Sequence, residues 1–419
     1  MLSTRGWVAR RVRGLLAFVA VLVVCASSAP SFGQFGPGMM PDLVSRRGVN
    51  AYCTLVGADE AQRDTALELY ETTKAEYRKT MKAFQASMEE AQARAREDQD
   101  WQAVQDAMVP AMEKMQATIM SLEKQFFDDI KAILTPEQLA KWDRVERYRR
   151  REMGLRFALV SGAGVDLITV VERGKLAPEG NAEFAEALQQ YELDIDAPLR
   201  EFEVMQREQQ SRTAETMKAF RDNPMKAMED MNRMLERAND LAKKVRNVNR
   251  DYARRLSAML PESSRAAFEA EVALRSFPRV YRESHAARVL NAGLGMSDLT
   301  AEQRESLTLL REQYTRDLGG ANDRWARAIE QEEEEKGGAV GRMMRQFEPG
   351  GGAADESEEK KARAARRELD ERTLEKAEGI LTESQRAKLP EKQAVRDEPW
   401  SDMMPDPEAV NEDGEEDEE

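Results

Sequence analysis

Ile133-Leu134-Thr135-Pro136-Glu137-Gln138-Leu139-Ala140-Lys141 is written as the start of a helix. Thr135 is a good N-cap, Pro136 suits the first helical position, and the Gln138 side chain can reach back to the cap's backbone N–H. Leu134 before the cap and Leu139 at the fourth helical position are placed to form a hydrophobic staple. The same words return as Ile380-Leu381-Thr382-Glu383-Ser384-Gln385-Arg386-Ala387-Lys388, with six of nine positions identical. Another Leu-Thr-x-x-Gln stands at Leu299-Thr300-Ala301-Glu302-Gln303. One capping box marks any helix. Three with the same leucine before the cap mark a repeated module.

Two apolar seams precede the first box. Asp59, with Gln62 three residues on, opens a helix whose seam runs Leu67, Tyr70, Tyr77, Met81, Phe84, Met88, Ala91 and Ala95. That is heptad spacing, broken only by Lys74. A polar tip at residues 97–100 leads to a second seam at Met108, Met112, Met115, Ile119, Leu122, Phe126, Ile130 and Ile133. Two seams of similar length joined by a short polar stretch predict an antiparallel helical hairpin. Pro110 marks either a kink in the second helix or its true start. The box then launches a further helix carrying Leu139, Trp142 and Val145.

Two further copies follow, the second module degenerate in its box and the third complete. Thr80-Met81-Lys82-Ala83-Phe84 returns intact at residues 216–220, and a seam from Met228 to Leu256 ends at Leu260-Pro261-Glu262-Ser263-Ser264. There the threonine and glutamine of the box are lost, while Phe268 stands where Trp142 stood. A third copy opens at Leu299 with Leu307, Leu310, Tyr314, Leu318, Trp325 and Ile329 on one face. Tyr70, Tyr191 and Tyr314 are 121 and 123 residues apart; Leu134, Leu260 and Leu381 are 126 and 121 apart. The expected fold is therefore all-α: three tandem antiparallel helical-hairpin modules, extended or coiled-coil-like, with disordered termini. The expected boundaries are a signal peptide at 1–29, a flexible leader at 30–48, and modules at 49–160, 161–285 and 286–396. A Gly-rich insert occupies 337–361 of the third, and an acidic disordered tail closes the chain at 397–419.

Composition agrees with long helices and narrow seams. A third of the residues are charged (34%) and few are aromatic (6%). The net charge of −15 sets nucleic acid aside as a partner. Four arginines ahead of an apolar run at residues 15–25, followed by small residues, read as a cleaved secretory signal, too short to span a bilayer. No stable membrane span is expected after cleavage, and the location expected is periplasmic or secreted. Only Cys53 would then remain, so packing alone must hold the chain together.

Catalysis is hard to seat on these residues. His285 is the only histidine and lies between modules, away from any candidate nucleophile. Gly337–Gly352 lacks P-loop spacing. The abundant carboxylates are what solvated helix faces carry. No catalytic residue, metal ligand set or cofactor is assigned. Met225, Met228, Met231 and Met234, with Met108, Met112 and Met115, recur at helical spacing. Thioethers so placed usually fill seams; they can also hold Cu(I) or offer a soft surface to varied apolar partners. They are the candidate client-binding surface. Arg144, Arg147, Arg149, Arg150 and Arg151 form a basic cluster at a helix end.

With these residues in view, the chain resembles the Spy/CpxP-like periplasmic family, marked by paired Leu-Thr-x-x-Gln motifs flanking a helical hairpin behind a signal peptide. Leu134-Thr135 with Gln138, Leu299-Thr300 with Gln303, and Leu381-Thr382 with Gln385 match the motif, and only the third module has both motifs in full. A family member is about one module long, and its client-binding chaperone has a basic concave face. This chain is acidic and looks tripled. The resemblance implies an all-α, non-enzymatic protein, commonly dimeric, that binds unfolded or envelope proteins as a chaperone or in envelope stress. A structural coiled-coil scaffold and a periplasmic metal-responsive binding protein are the alternative expectations.

Overall fold

A computed structural model describes residues 43–98, 101–156, 159–212, 215–216, 219, 222–337 and 357–391. The expected signal peptide, most of the leader, the Gly-rich insert from 338 to 356 and the acidic tail lie outside the described residues. So do Met217, Lys218 and Phe220 of the repeated pentapeptide. The protein is all-α, and no strand occurs among the described residues.

The chain falls into two compact units, Met1–Met153 with Leu199–Met234, and Gly154–Pro198 with Leu235–Glu419. In the first, α1 (Arg46–Val56) precedes two long helices, α2 (Glu60–Asp98) and α3 (Trp101–Ala132), which pack along each other. Pro110 falls inside α3. A short α4 (Pro136–Leu139) and then α5 (Trp142–Gly154) follow. The seams behave as the heptad spacing requires. Tyr77, Met81, Phe84, Met112 and Met115 form one buried cluster. Nearer the hairpin's base, Tyr70, Phe126, Phe127 and Ile130 join Trp142 and Val145.

The leader expected at 30–48 gives way to helix earlier than foreseen. Helix α1 starts at Arg46, because the Ser45 side chain accepts from Gly48 N at 2.9 Å. Gly57 ends it in the left-handed region at φ 76°, where a side chain would be strained. Its Val49, Tyr52, Cys53 and Val56 are buried in the hairpin base. Burial raises the Cys53 thiol pKa.

The second unit contains α6 (Leu167–Arg173), α9 (Glu262–Ser276), α10 (Pro278–Tyr281), α11 (His285–Leu294), α12 (Ala301–Lys336), α13 (Glu358–Ile380) and α14 (Glu383–Arg386). Helices α7 (Ala182–Ser211) and α8 (Pro224–Met259) contribute to both units, each unit taking one end. Within the second unit α7 and α8 are joined by Tyr191 Oη donating to Asn249 Oδ1 at 2.9 Å and Tyr252 Oη donating to Asp194 Oδ2 at 2.6 Å. Helices α12 and α13 pack along each other, with Leu307, Leu310, Tyr314, Ala377 and Leu381 buried together with Leu290 of α11. A short helix thus precedes the first long helix of each pair: α1 before α2, α6 before α7 and α11 before α12.

Candidate functional site

The boxes work as capping boxes. Thr135, Thr300 and Thr382 each accept from the glutamine N–H three residues on, at 3.3, 3.1 and 3.4 Å. Each glutamine Oε1 accepts in return from the cap N–H at 2.9 to 3.0 Å. Asp59 does the same with Gln62, at 2.8 and 3.0 Å. So an aspartate version of the box opens the first hairpin.

The boxes also meet in pairs. Gln62 Nε2 donates to Gln138 Oε1 at 2.8 Å and to Ile133 O at 2.7 Å. Gln138 Nε2 donates to Gln62 Oε1 at 2.8 Å and to Gly57 O at 2.9 Å. In the second unit Gln303 Nε2 donates to Gln385 Oε1 and Ile380 O, both at 3.0 Å. Gln385 Nε2 donates to Gln303 Oε1 at 3.4 Å and to Asp298 O at 3.0 Å. Each amide thereby uses both hydrogens and both acceptor sites. Glutamate has no donor for this arrangement, and asparagine is one methylene short. The clasp ties the two box loops across the base of each hairpin. With every polar site used, it is a staple and leaves nothing for a ligand.

Among the described residues, the segment expected as the middle copy has no clasp. Phe184, 2% exposed, occupies the position of Gln62 three residues after its cap Asn181, and Ser264 occupies that of Gln138. Pro261 makes no side-chain cap bond. Arg265 instead donates to the carbonyls of Ser257 in α8 and of Leu260 just past its end, both at 3.1 Å, satisfying helix-end acceptors that would otherwise be left to water.

Leu381 is buried, and Leu134 and Leu299 are half-buried against their hairpin cores. Helix α4 stops at Leu139 and the chain turns into α5 at Trp142, leaving Leu139 38% exposed.

The methionines are not one open surface. Met112 and Met115 are 3% and 4% exposed inside the α2–α3 seam, with Met108 partly buried beside them. Met231 is buried, Met228 and Met234 are half-buried, and Met225 alone of the seven is broadly exposed at 80%. Seam geometry explains this, since residues at three- and four-residue steps face the partner helix. Among the described residues no group of three or more His, Cys, Asp or Glu is placed to hold a metal. None of their helices is long and apolar enough to cross a membrane. The basic cluster is engaged internally: Arg149 pairs with Glu123 and Glu146, Arg150 lies 3.9 Å from Glu203, and Arg151 is buried over Tyr148.

One polar node had no signal in charge counting. Arg246 and Glu333 are 5% and 6% exposed, with Arg246 Nη1 3.8 Å from Glu333 Oε2. Ser161 donates to Glu333 Oε1 through its backbone N–H at 2.9 Å and its hydroxyl at 2.7 Å. Burial pushes the Glu333 carboxyl above its ordinary range, while the hydrogen bond from Arg246 holds Glu334 below it. Periodicity carried the hint: Glu333 stands four residues after buried Ile329, and Arg246 and Asn249 follow buried Val245 as the α8 seam rotates.

No family model, no curated protein and no solved structure matches this chain.

Proposed function

We propose that the chain is an exported, non-enzymatic helical protein with a chaperone-like or envelope-stress role, binding other polypeptides. The observation that carries this reading is the pair of glutamine clasps built on Leu-Thr-x-x-Gln boxes at Gln62–Gln138 and Gln303–Gln385. They give the family-like motif a definite task, closing the base of a long hairpin whose flanks are left to contact partners. The acidic charge keeps such surfaces soluble. The test is light scattering of a model client unfolding at fixed temperature, with and without the protein at comparable concentration. Suppression supports the reading, and no suppression at several-fold excess contradicts it.

A structural coiled-coil scaffold is the second reading. Burial of Met112, Met115 and Met231 favours it, because filled seams have less to offer a client. Sedimentation equilibrium separates the two: a scaffold is a defined oligomer that captures no client.

A further inference from the structure

In the base of the first hairpin, aromatic side chains fill the space between α1, the end of α3 and α5. The Phe127 and Tyr52 rings lie 5.8 Å apart, Tyr52 meets Tyr148 edge-on at 5.7 Å, and the Arg149 guanidinium sits 3.5 Å over Phe127. The offset of 126 that carries Leu134 onto Leu260 and Trp142 onto Phe268 also carries Phe127 onto Ala253 and Arg149 onto Arg275. The middle copy therefore keeps the arginine and loses the ring beneath it. Arg275 turns to Glu271 instead, at 2.6 Å.

The strap before the long helix differs too. Helix α6 has seven residues where α1 has eleven. The chain ahead of it runs as a loop through Gly162, whose φ is 78°. Gly162 N donates to Ser276 O at 3.2 Å, and Asn249 Nδ2 donates to Gly162 O at 2.8 Å, so the loop is pinned to α8 and to the end of α9, with Gly162 and Ala253 lining the same groove. What remains is a groove of ≈ 750 Å³ whose apolar lining is part-exposed Ala253 and Val272 over the buried Val165 and Phe268. That volume lies in the range of small-ligand and side-chain pockets. Its charged lining is four arginines to two glutamates, in a chain of net charge −15.

We propose that this groove binds an aromatic side chain of a partner polypeptide, from a segment with carboxylates on either side of the aromatic residue. The ring takes the volume that Phe127 and Tyr52 fill in the first hairpin, and the carboxylates engage Arg250 and Arg254. These two now pair with Glu330 and Asp251. The Arg254–Asp251 pair is exposed and the Arg250–Glu330 pair half-exposed, and solvent-reached pairs of this kind are weak. The proposal rests on the protein-binding reading above and names the chemistry of the segment bound.

The probe is a fluorescein-labelled acidic peptide carrying one tryptophan among aspartates and glutamates, titrated with the full chain and read by anisotropy. Saturable binding is expected. It should weaken at least tenfold when the peptide's tryptophan is replaced by alanine, and also with Ala253→Phe, which refills the groove as in the first hairpin. Arg254→Glu, a change at an exposed position that leaves the packing alone, should weaken it several-fold. Circular dichroism confirms that both variants are folded. Unchanged affinity in both protein variants overturns the proposal, as does equal binding of the peptide without its ring. If Trp400→Ala in the full chain uncovers binding that the unmodified chain lacks, the occupant is the chain's own tail and the partner proposal falls. Peptide binding without suppression of client aggregation removes the chaperone reading and leaves the groove; the reverse removes the groove and leaves the reading.

Discussion

Gln62 and Gln138 hold each other amide to amide from 76 residues apart, each Nε2 2.8 Å from the other's Oε1. Each amide also closes its own capping box, so helix initiation and hairpin closure depend on the same two side chains. Gln303 and Gln385 repeat the arrangement at a sequence separation of 82. A carboxylate in this place would meet carbonyls and another Oε1 with no hydrogen to give. Gln385 is 3% exposed, so Gln385→Glu should cost roughly 2–3 kcal/mol at neutral pH, by urea denaturation, through lost donors and an unsatisfied buried carbonyl.

The aspartate form of the box makes a gentler test. Asp59 accepts from Gln62 N as the threonines do in the other boxes. Asp59→Thr should stay within about 0.5 kcal/mol of the parent, and Asp59→Ala should lose about 1 kcal/mol, as N-cap deletions do. Equal losses in thermal or urea melts would mean that the cap bond contributes little.

Packing separates two methionines that periodicity treats alike. Met112→Ala opens a cavity in the α2–α3 seam and should cost about 2–5 kcal/mol. Met225→Ala, at an 80% exposed position, should stay within about 0.5 kcal/mol. Similar values for the two would place Met112 outside the core.

Glu333 gives a pH signature. Burial raises its carboxyl pKa in the folded chain above the ordinary 4.5, with Ser161 and Arg246 opposing and Glu330 adding to the rise. The folded state therefore binds this proton at pH values where the unfolded chain has released it. As pH falls from neutral through the folded pKa to about 4.5, this group adds stability; below that it adds no more. Glu333→Gln removes the effect. Urea midpoints at pH 7.5 and 4.5 should show the parent gaining on the variant upon acidification. A parent that loses ground would reverse the assignment.

Much of this architecture could be read from residues alone, and the failures have physical causes. Capping boxes are local, so Thr135, Thr300 and Thr382 were legible as helix starts. The Tyr77–Phe84 and Met108–Met115 seams were legible because heptad spacing is written in the chain. The clasp was not, since nothing local says that Gln62 and Gln138 will face each other across the hairpin base. Helix α1 overlaps the expected leader only at Arg46–Gly48, and its remaining turns went unread at the start of the first module. Helix α6, with its Val170 and Val171, is too short to show a helical period. Arg246 and Glu333 looked like solvated charge, and their burial depends on loop 160–165 folding over them, a tertiary event. Leu139 stands at the last residue of α4 and is 38% exposed, a consequence of where the chain turns toward α5 that the capping residues alone do not announce.

The paired glutamines act as one unit closing the two hairpins that carry them. A double-mutant cycle on Gln303→Ala and Gln385→Ala, read by urea denaturation, tests it most directly. A coupling free energy of about 1–2 kcal/mol is expected, within the range seen for groups in one hydrogen-bond network. Single-mutant losses that add to within about 0.3–0.5 kcal/mol would show two independent caps and contradict the clasp.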